Sequence, residues 1–224
     1  MLKAVLFDLD NTLVDFMRMK EACSEAAIHS MIEAGLPLDE KKATKKLFKM
    51  YKTVGIENQT IFESFLKTVM GEIDYKILAA GIAAYRRVKA GQLVPYPHVR
   101  ETLIKLKERG LKLGIVSDAP RLQAWLRLAE MNLVEFFDVV IALEDTGQLK
   151  PSQMPFKQAI EKLGLNPKEL LFVGDNPGRD IKGAKQSGMH TALAKYGQLM
   201  KGTNKADHEL KSVKDLLKAV DYHR

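Results

Sequence analysis

The sequence predicts an α/β fold: a parallel sheet with helices on both faces, and an all-helical block inserted after the first strand. Three observations predict it. A short apolar run over residues 2–7 stops at Asp8. Residues 16–90 then carry helical patterns and no convincing strand. From residue 98 onward, helix and strand patterns alternate.

Residues 2–7 read as a strand buried on both faces. Four helices follow. The first covers residues 16–34 and stops at Gly35. The second covers 38–54, with Asp39 as its N-cap and Gly55 after it. The third covers 58–70 and the fourth 75–90, each followed by a glycine. Apolar residues recur at three- and four-residue spacing, as in Leu47, Met50, Tyr51 and Val54, which is the mark of helices packed on one another. Arg18, Lys20, Lys52, Arg86 and Arg87 read as solvated charges on these helices. Val94-Pro95-Tyr96-Pro97 is a stiff connector.

Beyond it, helices are expected at residues 98–109, 120–131, 154–163 and 179–187. Strands are expected at 111–116, 138–143, 170–173 and 190–194. A short edge strand near Glu209 and a helix over 212–220 complete the pattern. The core is therefore residues 1–15 with 92–224, and the helical block is residues 16–91. Strand-helix alternation of this kind makes a parallel sheet.

With 224 residues, 46% of them hydrophobic, the chain has room for one α/β domain and a smaller insert. No apolar run reaches the length of a membrane span. No signal peptide is read at the start, and the single cysteine, Cys23, allows no internal disulfide. These features predict a cytoplasmic protein with no membrane partner. The net charge of +7 could attract nucleic acid or small anions. The lysines are spread along the chain, however, and the densest run, residues 41–52, reads as the wet face of a helix. The prediction is no nucleic-acid partner and a mild attraction for phosphorylated metabolites.

Parallel sheets bind ligands beyond the carboxyl ends of their strands. Polar residues gather at that edge: Asp8 and Asp10 after the first strand, Ser117 and Asp118 after the second, Lys150 after the third, Asp175 and Asp180 after the fourth. Singly, such residues are turn formers or caps. Asp118, before Ala119-Pro120, reads as a helix N-cap. Together they are harder to dismiss. Converging carboxylates repel unless a cation offsets them, and an all-oxygen set suits Mg²⁺.

The order and spacing of these residues resemble the haloacid dehalogenase (HAD) superfamily. Phe7-Asp8-Leu9-Asp10-Asn11-Thr12-Leu13 matches its first motif, DxDxT. Ser117 matches the second, Lys150 in LKPSQMPF the third, and Gly174-Asp175 with Asp180 the fourth. The resemblance implies a Rossmannoid core carrying a helical cap of the C1 type. It also implies an Mg²⁺-dependent phosphatase acting on a small phosphorylated metabolite, similar to enzymes for phosphoglycolate or triose phosphates.

By that resemblance Asp8 is the nucleophile and Asp10 the general acid and base. Asp8, the backbone carbonyl of Asp10, and Asp175 hold the metal. Asp180 holds the metal's waters or Lys150. Ser117 binds phosphoryl oxygens, Lys150 neutralises charge on the transferring group, and Thr12 supports the loop. Two positions depart from the family. Asp118 stands where Asn is frequent, an acceptor in place of an amide that can reach the phosphoryl group. Ser152-Gln153 stand where Asp-Pro is frequent, so the loop after Lys150 is expected to be altered with Lys150 still in use.

Related 2-haloacid dehalogenases share the nucleophile and the fold, but they lack an acid two residues later and need no metal. Asp10 therefore favours the phosphatase. A mutase or phosphotransferase would share every motif. A non-catalytic phosphate-binding regulator has no need of Asp10.

Overall fold

The computed structural model describes residues 1–223. The chain forms two compact units, Phe16–Leu93 on its own and Met1–Asp15 together with Val94–Arg224.

The first unit is helical: α1 (Phe16–Glu33), α2 (Glu40–Val54), α3 (Ile61–Met70) and α4 (Tyr75–Gln92). Ile28, Met31, Leu47, Phe65 and Leu66 form its centre. Asp39 caps α2, accepting from Lys42 N at 3.1 Å. Asp74 caps α4, accepting from Lys76 N at 2.8 Å and Ile77 N at 3.1 Å. Each such cap supplies an acceptor that the first turn of a helix lacks.

Three expectations need correction here. α3 starts at Ile61 and not at residue 58, because Asn58 Oδ1 accepts from Thr60 N at 2.9 Å and holds a turn ahead of the helix. Gly91 does not end α4, which continues through it to Gln92. Lys20 is not solvated: it is buried, with its ammonium 4.5 Å from the Tyr51 ring centre and 5.3 Å from that of Tyr85.

The second unit carries six strands: β1 (Ala4–Phe7), β2 (Lys112–Val116), β3 (Val139–Ile141), β4 (Leu170–Gly174), β5 (His190–Ala194) and β6 (His208–Leu210). Their order is β3-β2-β1-β4-β5-β6, and every pairing is parallel. β1 and β4 are buried along their whole length, as central strands covered on both faces must be.

The helices of this unit are α5 (Val99–Glu108), α6 (Arg121–Glu130), α7 (Leu143–Thr146), α8 (Gln153–Leu163), α9 (Lys182–Gln186) and α10 (Asp215–Tyr222). α7 was not expected; it is a single turn fixed by Asp145, which accepts from Ala142 N at 2.8 Å. The helix expected over 179–187 is a π-helical turn, Pro177–Ile181, running into α9. Asn176 starts the turn early by accepting from Gly178 N and Arg179 N. Among the described residues no helix is long and apolar enough to cross a membrane.

Strand order reverses at β1 and β4, which are paired neighbours in the centre of the sheet. Crevices in open α/β sheets lie at such a switch point, beyond the carboxyl ends of the strands. The residues next in sequence are Asp8 after β1 and Asp175 after β4.

Candidate active site

Asp8 and Ser117 each sit one residue beyond a strand, yet the sheet still holds them. Asp8 N donates to Val173 O at 2.8 Å, and Ser117 N donates to Ile141 O at 2.9 Å. The backbones of both are therefore fixed by rigid neighbours. After Asp10 the chain turns sharply. Asn11 adopts φ 58°, a left-handed conformation that Asn tolerates, and its N–H donates to Val14 O at 2.7 Å. Thr12 is buried in this turn, and Tyr196 Oη donates to its carbonyl at 2.8 Å.

Lys150 is the hub. Its buried ammonium lies 2.6 Å from Asp8 Oδ1, 2.8 Å from Asp180 Oδ1 and 2.9 Å from the carbonyl oxygen of Val116. Asp8 Oδ1 and the Val116 carbonyl accept its hydrogens, while Asp180 meets it as an ion pair. Its backbone N–H donates to Asp118 Oδ1 at 2.9 Å. The altered loop behind it starts a helix: Ser152 takes the N-cap of α8 and accepts from Met154 N at 3.3 Å.

Asp118 is not the helix cap that its sequence context suggests. Pro120 stands at the N-cap of α6 with no side-chain bond, and Ser117 Oγ accepts from Ala119 N at 3.1 Å. The Asp118 carboxylate instead reaches across to the Lys150 loop and, at 3.3 Å, to Arg179. A long-range partner outcompetes the local one.

Asp8, Asp175 and Asp180 are buried, with one carboxylate oxygen of each within 4.8 Å of the others. Asp10 contributes no side chain to this group; its Oδ2 lies 3.3 Å from Arg127. Burial works against ionising Asp8, but Lys150 and Arg179 outweigh it and hold the carboxyl below the ordinary range. Burial and the charges of Asp8 and Asp180 push Asp175 up to about 8. Burial also raises Asp180, with Lys150 pulling the other way. Lys150 is desolvated too, yet Asp180, Asp8 and Asp118 keep it firmly protonated.

Three buried oxygens of this cluster, Asp8 Oδ2, Asp175 Oδ1 and Asp180 Oδ1, accept no hydrogen bond. Carboxylate oxygens gathered within 4.8 Å and met by ion pairs without hydrogen bonds fit a small divalent cation, which takes oxygen ligands and offsets the repulsion.

The structure thus brings together Asp8, Ser117, Asp118, Lys150, Asp175 and Asp180, with Asp10 and Thr12 in the adjoining turn. Sequence reasoning passed over two arginines. Arg179 reaches Asp8, Asp175 and Asp180 at 3.7–3.9 Å as well as Asp118. Its signal was a cation next to Asp180 inside the fourth motif. Arg127 lies on the inward side of α6, and its signal was a charge three residues after Ala124 and one before Leu128, both buried.

The haloacid dehalogenase-like hydrolase family matches residues 5–194, most of the chain and every residue of this acidic cluster. The chain belongs to that family. Glyceraldehyde 3-phosphate phosphatase of Methanocaldococcus jannaschii is 37% identical over 222 residues, covering 98% of this chain and 97% of its own. Phosphoglycolate phosphatase of Aquifex aeolicus is 29% identical, covering 99% and 98%. Among solved structures, a HAD phosphatase from Thermococcus onnurineus superposes with a TM-score of 0.72 at 27% identity, with 98% of each chain covered. The α/β core and the helical cap are those of this family.

Proposed function

We propose that this chain is an Mg²⁺-dependent phosphatase that hydrolyses a small phosphorylated metabolite, of the size of a triose phosphate or phosphoglycolate, through a phosphorylated Asp8. The observation that carries the reading is the Asp8 carboxylate, buried at the switch point, gripped by Lys150 at 2.6 Å and clustered with the carboxylates of Asp175 and Asp180 within 4.8 Å. The names of full-length relatives support the substrate class.

Asp8 and Asp175, with the carbonyl of Asp10, would hold Mg²⁺, which when bound neutralises phosphoryl charge and keeps Asp8 ionised. The protein's own groups account for the rest. Ser117 offers its hydroxyl proton to a phosphoryl oxygen, and Lys150 orients Asp8 while offsetting charge on the transferring group. Asp180 and Asp118 fix Lys150 by its ammonium and its backbone. An Asp8 oxygen attacks phosphorus, the ester P–O bond breaks, and Asp10 gives its proton to the leaving alkoxide. Asp10 then takes a proton from water, the water oxygen attacks phosphorus, and the bond to Asp8 breaks to release inorganic phosphate.

The test is phosphate release from glyceraldehyde 3-phosphate and phosphoglycolate. EDTA should abolish it and Mg²⁺ restore it, while Ca²⁺, with its looser coordination, should inhibit. Asp8→Asn should fold normally and lose all turnover, because the uncatalysed reaction is slower by up to ~10²¹-fold. Metal-independent chloride release from 2-chloropropionate, without phosphatase activity, would refute the reading.

A further inference from the structure

Arg127 is only 3% exposed, although it belongs to a residue type that seldom leaves water. It lies on the inward side of α6 with Ala124 and Leu128. Its NH1 is 3.3 Å from Asp10 Oδ2, and the Asp10 side chain keeps 19% exposure against 4% for Arg127. Such a pair is a poor way to stabilise a fold, since desolvating both ions cancels most of their attraction and apolar side chains of similar volume do as well or better. A role in the reaction gives the buried arginine a reason that stability does not.

The left-handed turn at Asn11 fixes the backbone beside Asp10, but two side-chain torsions remain to be set. A general acid has to lie within hydrogen-bond reach of the leaving oxygen. A misplacement of about 1 Å can cost about a hundredfold in rate. We propose that Arg127 is a positioning residue: its guanidinium holds Oδ2 of Asp10, so that the carboxyl group presents its other oxygen to the leaving alkoxide and then to water. The idea rests on Asp10 acting as general acid and base. Arginine suits the task because its charge is permanent and its guanidinium is held on the inward side of a helix, 3.3 Å from Oδ2.

Arg127→Met, Arg127→Gln and Arg127→Lys are measured alongside Asp10→Asn, each first checked for native circular dichroism. Two substrates are used: glyceraldehyde 3-phosphate, whose alkoxide needs a proton, and 4-nitrophenyl phosphate, whose leaving group needs little. Arg127→Met should lower kcat on the alkyl ester about tenfold or more, with KM within about twofold, and slow leaving-group release from the aryl ester far less. Arg127→Lys should recover much of the lost rate. Adding Arg127→Met to Asp10→Asn should cost less than about twofold more, because the positioned group is already gone. Arg127→Gln carries the same expectations if the methionine variant does not fold. Equal losses on the two esters, or losses that multiply with those of Asp10→Asn, would overturn the proposal while leaving Asp10's role intact. If Asp10→Asn itself hits both esters equally in leaving-group release, the general-acid reading fails and the positioning role falls with it.

Discussion

Lys150 directs its charge at two buried carboxylates, so removing it leaves both without their main counter-charge. Breaking a buried ion pair from one side typically costs about 3–5 kcal/mol. Lys150→Met should therefore lose activity and, in EDTA, lose stability of that order in urea melts; a loss under about 1 kcal/mol would show that the hub does not hold the site together. Gly174 offers a second test. A Cβ there would stand 2.5 Å from the Cβ of Asp180, inside any real contact. Gly174→Ala should push Asp180 off Lys150, costing about 1–3 kcal/mol and most of kcat; wild-type kcat in this variant would contradict the geometry. Asp8 and Asp175 were legible because they directly follow strand ends, which can be read from apolar runs, and Lys150 and Asp180 because they fall within the spaced motifs. Arg127 and Arg179 were not, because a charge on a helix or loop is solvated by default. Only the inward phase of α6 and the crowding of acids about Arg179 mark them out. Asp118 misled for a related reason: local pattern sees the helix that follows, not a loop 32 residues away.

At the scale of elements, apolar periodicity located every strand and all helices longer than a single turn. It erred where a side chain intervenes locally, as Asn58 does before α3 and Asn176 before the π-helical turn. Periodicity is equally blind to the contact that ties α10 to the sheet edge. His208 Nε2 on β6 lies 2.8 Å from His223 Nε2 just after α10, and the His190 ring stacks on His223 at 4.0 Å between centroids. One nitrogen must donate and the other accept, so the two facing Nε2 atoms cannot both be protonated and keep the bond. Burial, then the His190 and His208 rings, hold His223 below its ordinary value, with Asp207 opposing and the chain's N-terminal charge assisting. Between the unfolded value near ~6.5 and that lower folded value, the unfolded chain binds more protons. Stability is thus present above pH ~6.5 and lost as pH falls through the folded value. Thermal melts from pH 7.5 to 5 should show wild type losing more than His223→Gln does; parallel pH profiles would mean that the pair has no part in it.

For the whole molecule, the placement of the insertion bears on what the enzyme accepts. The helical unit leaves the core after Asp15 and returns at Val94. The two core segments that frame it are joined there: Val14 bridges Pro95, Tyr96 N donates to Leu13 O at 2.9 Å, and Val14 also bridges Asp10. Both tethers therefore start from the same edge of the sheet that carries Asp8. With the insertion tethered beside Asp8, we expect small esters and not folded macromolecules as substrates. One methylene more or less in an apolar pocket is worth about 10–200-fold, and exclusion of a whole protein chain should lie at or beyond the upper end of that range. We expect kcat/KM on glyceraldehyde 3-phosphate or phosphoglycolate to exceed that on phosphorylated casein by about a hundredfold or more. Single phosphoamino acids, small enough to enter, should fall between. Measuring phosphate release from all of these at one high ionic strength screens the +7 charge that would otherwise favour the more acidic partner. A full-length enzyme that dephosphorylates casein as fast as its best small ester would show that the helical unit sets no size limit, and substrate choice would then have to come from the core itself.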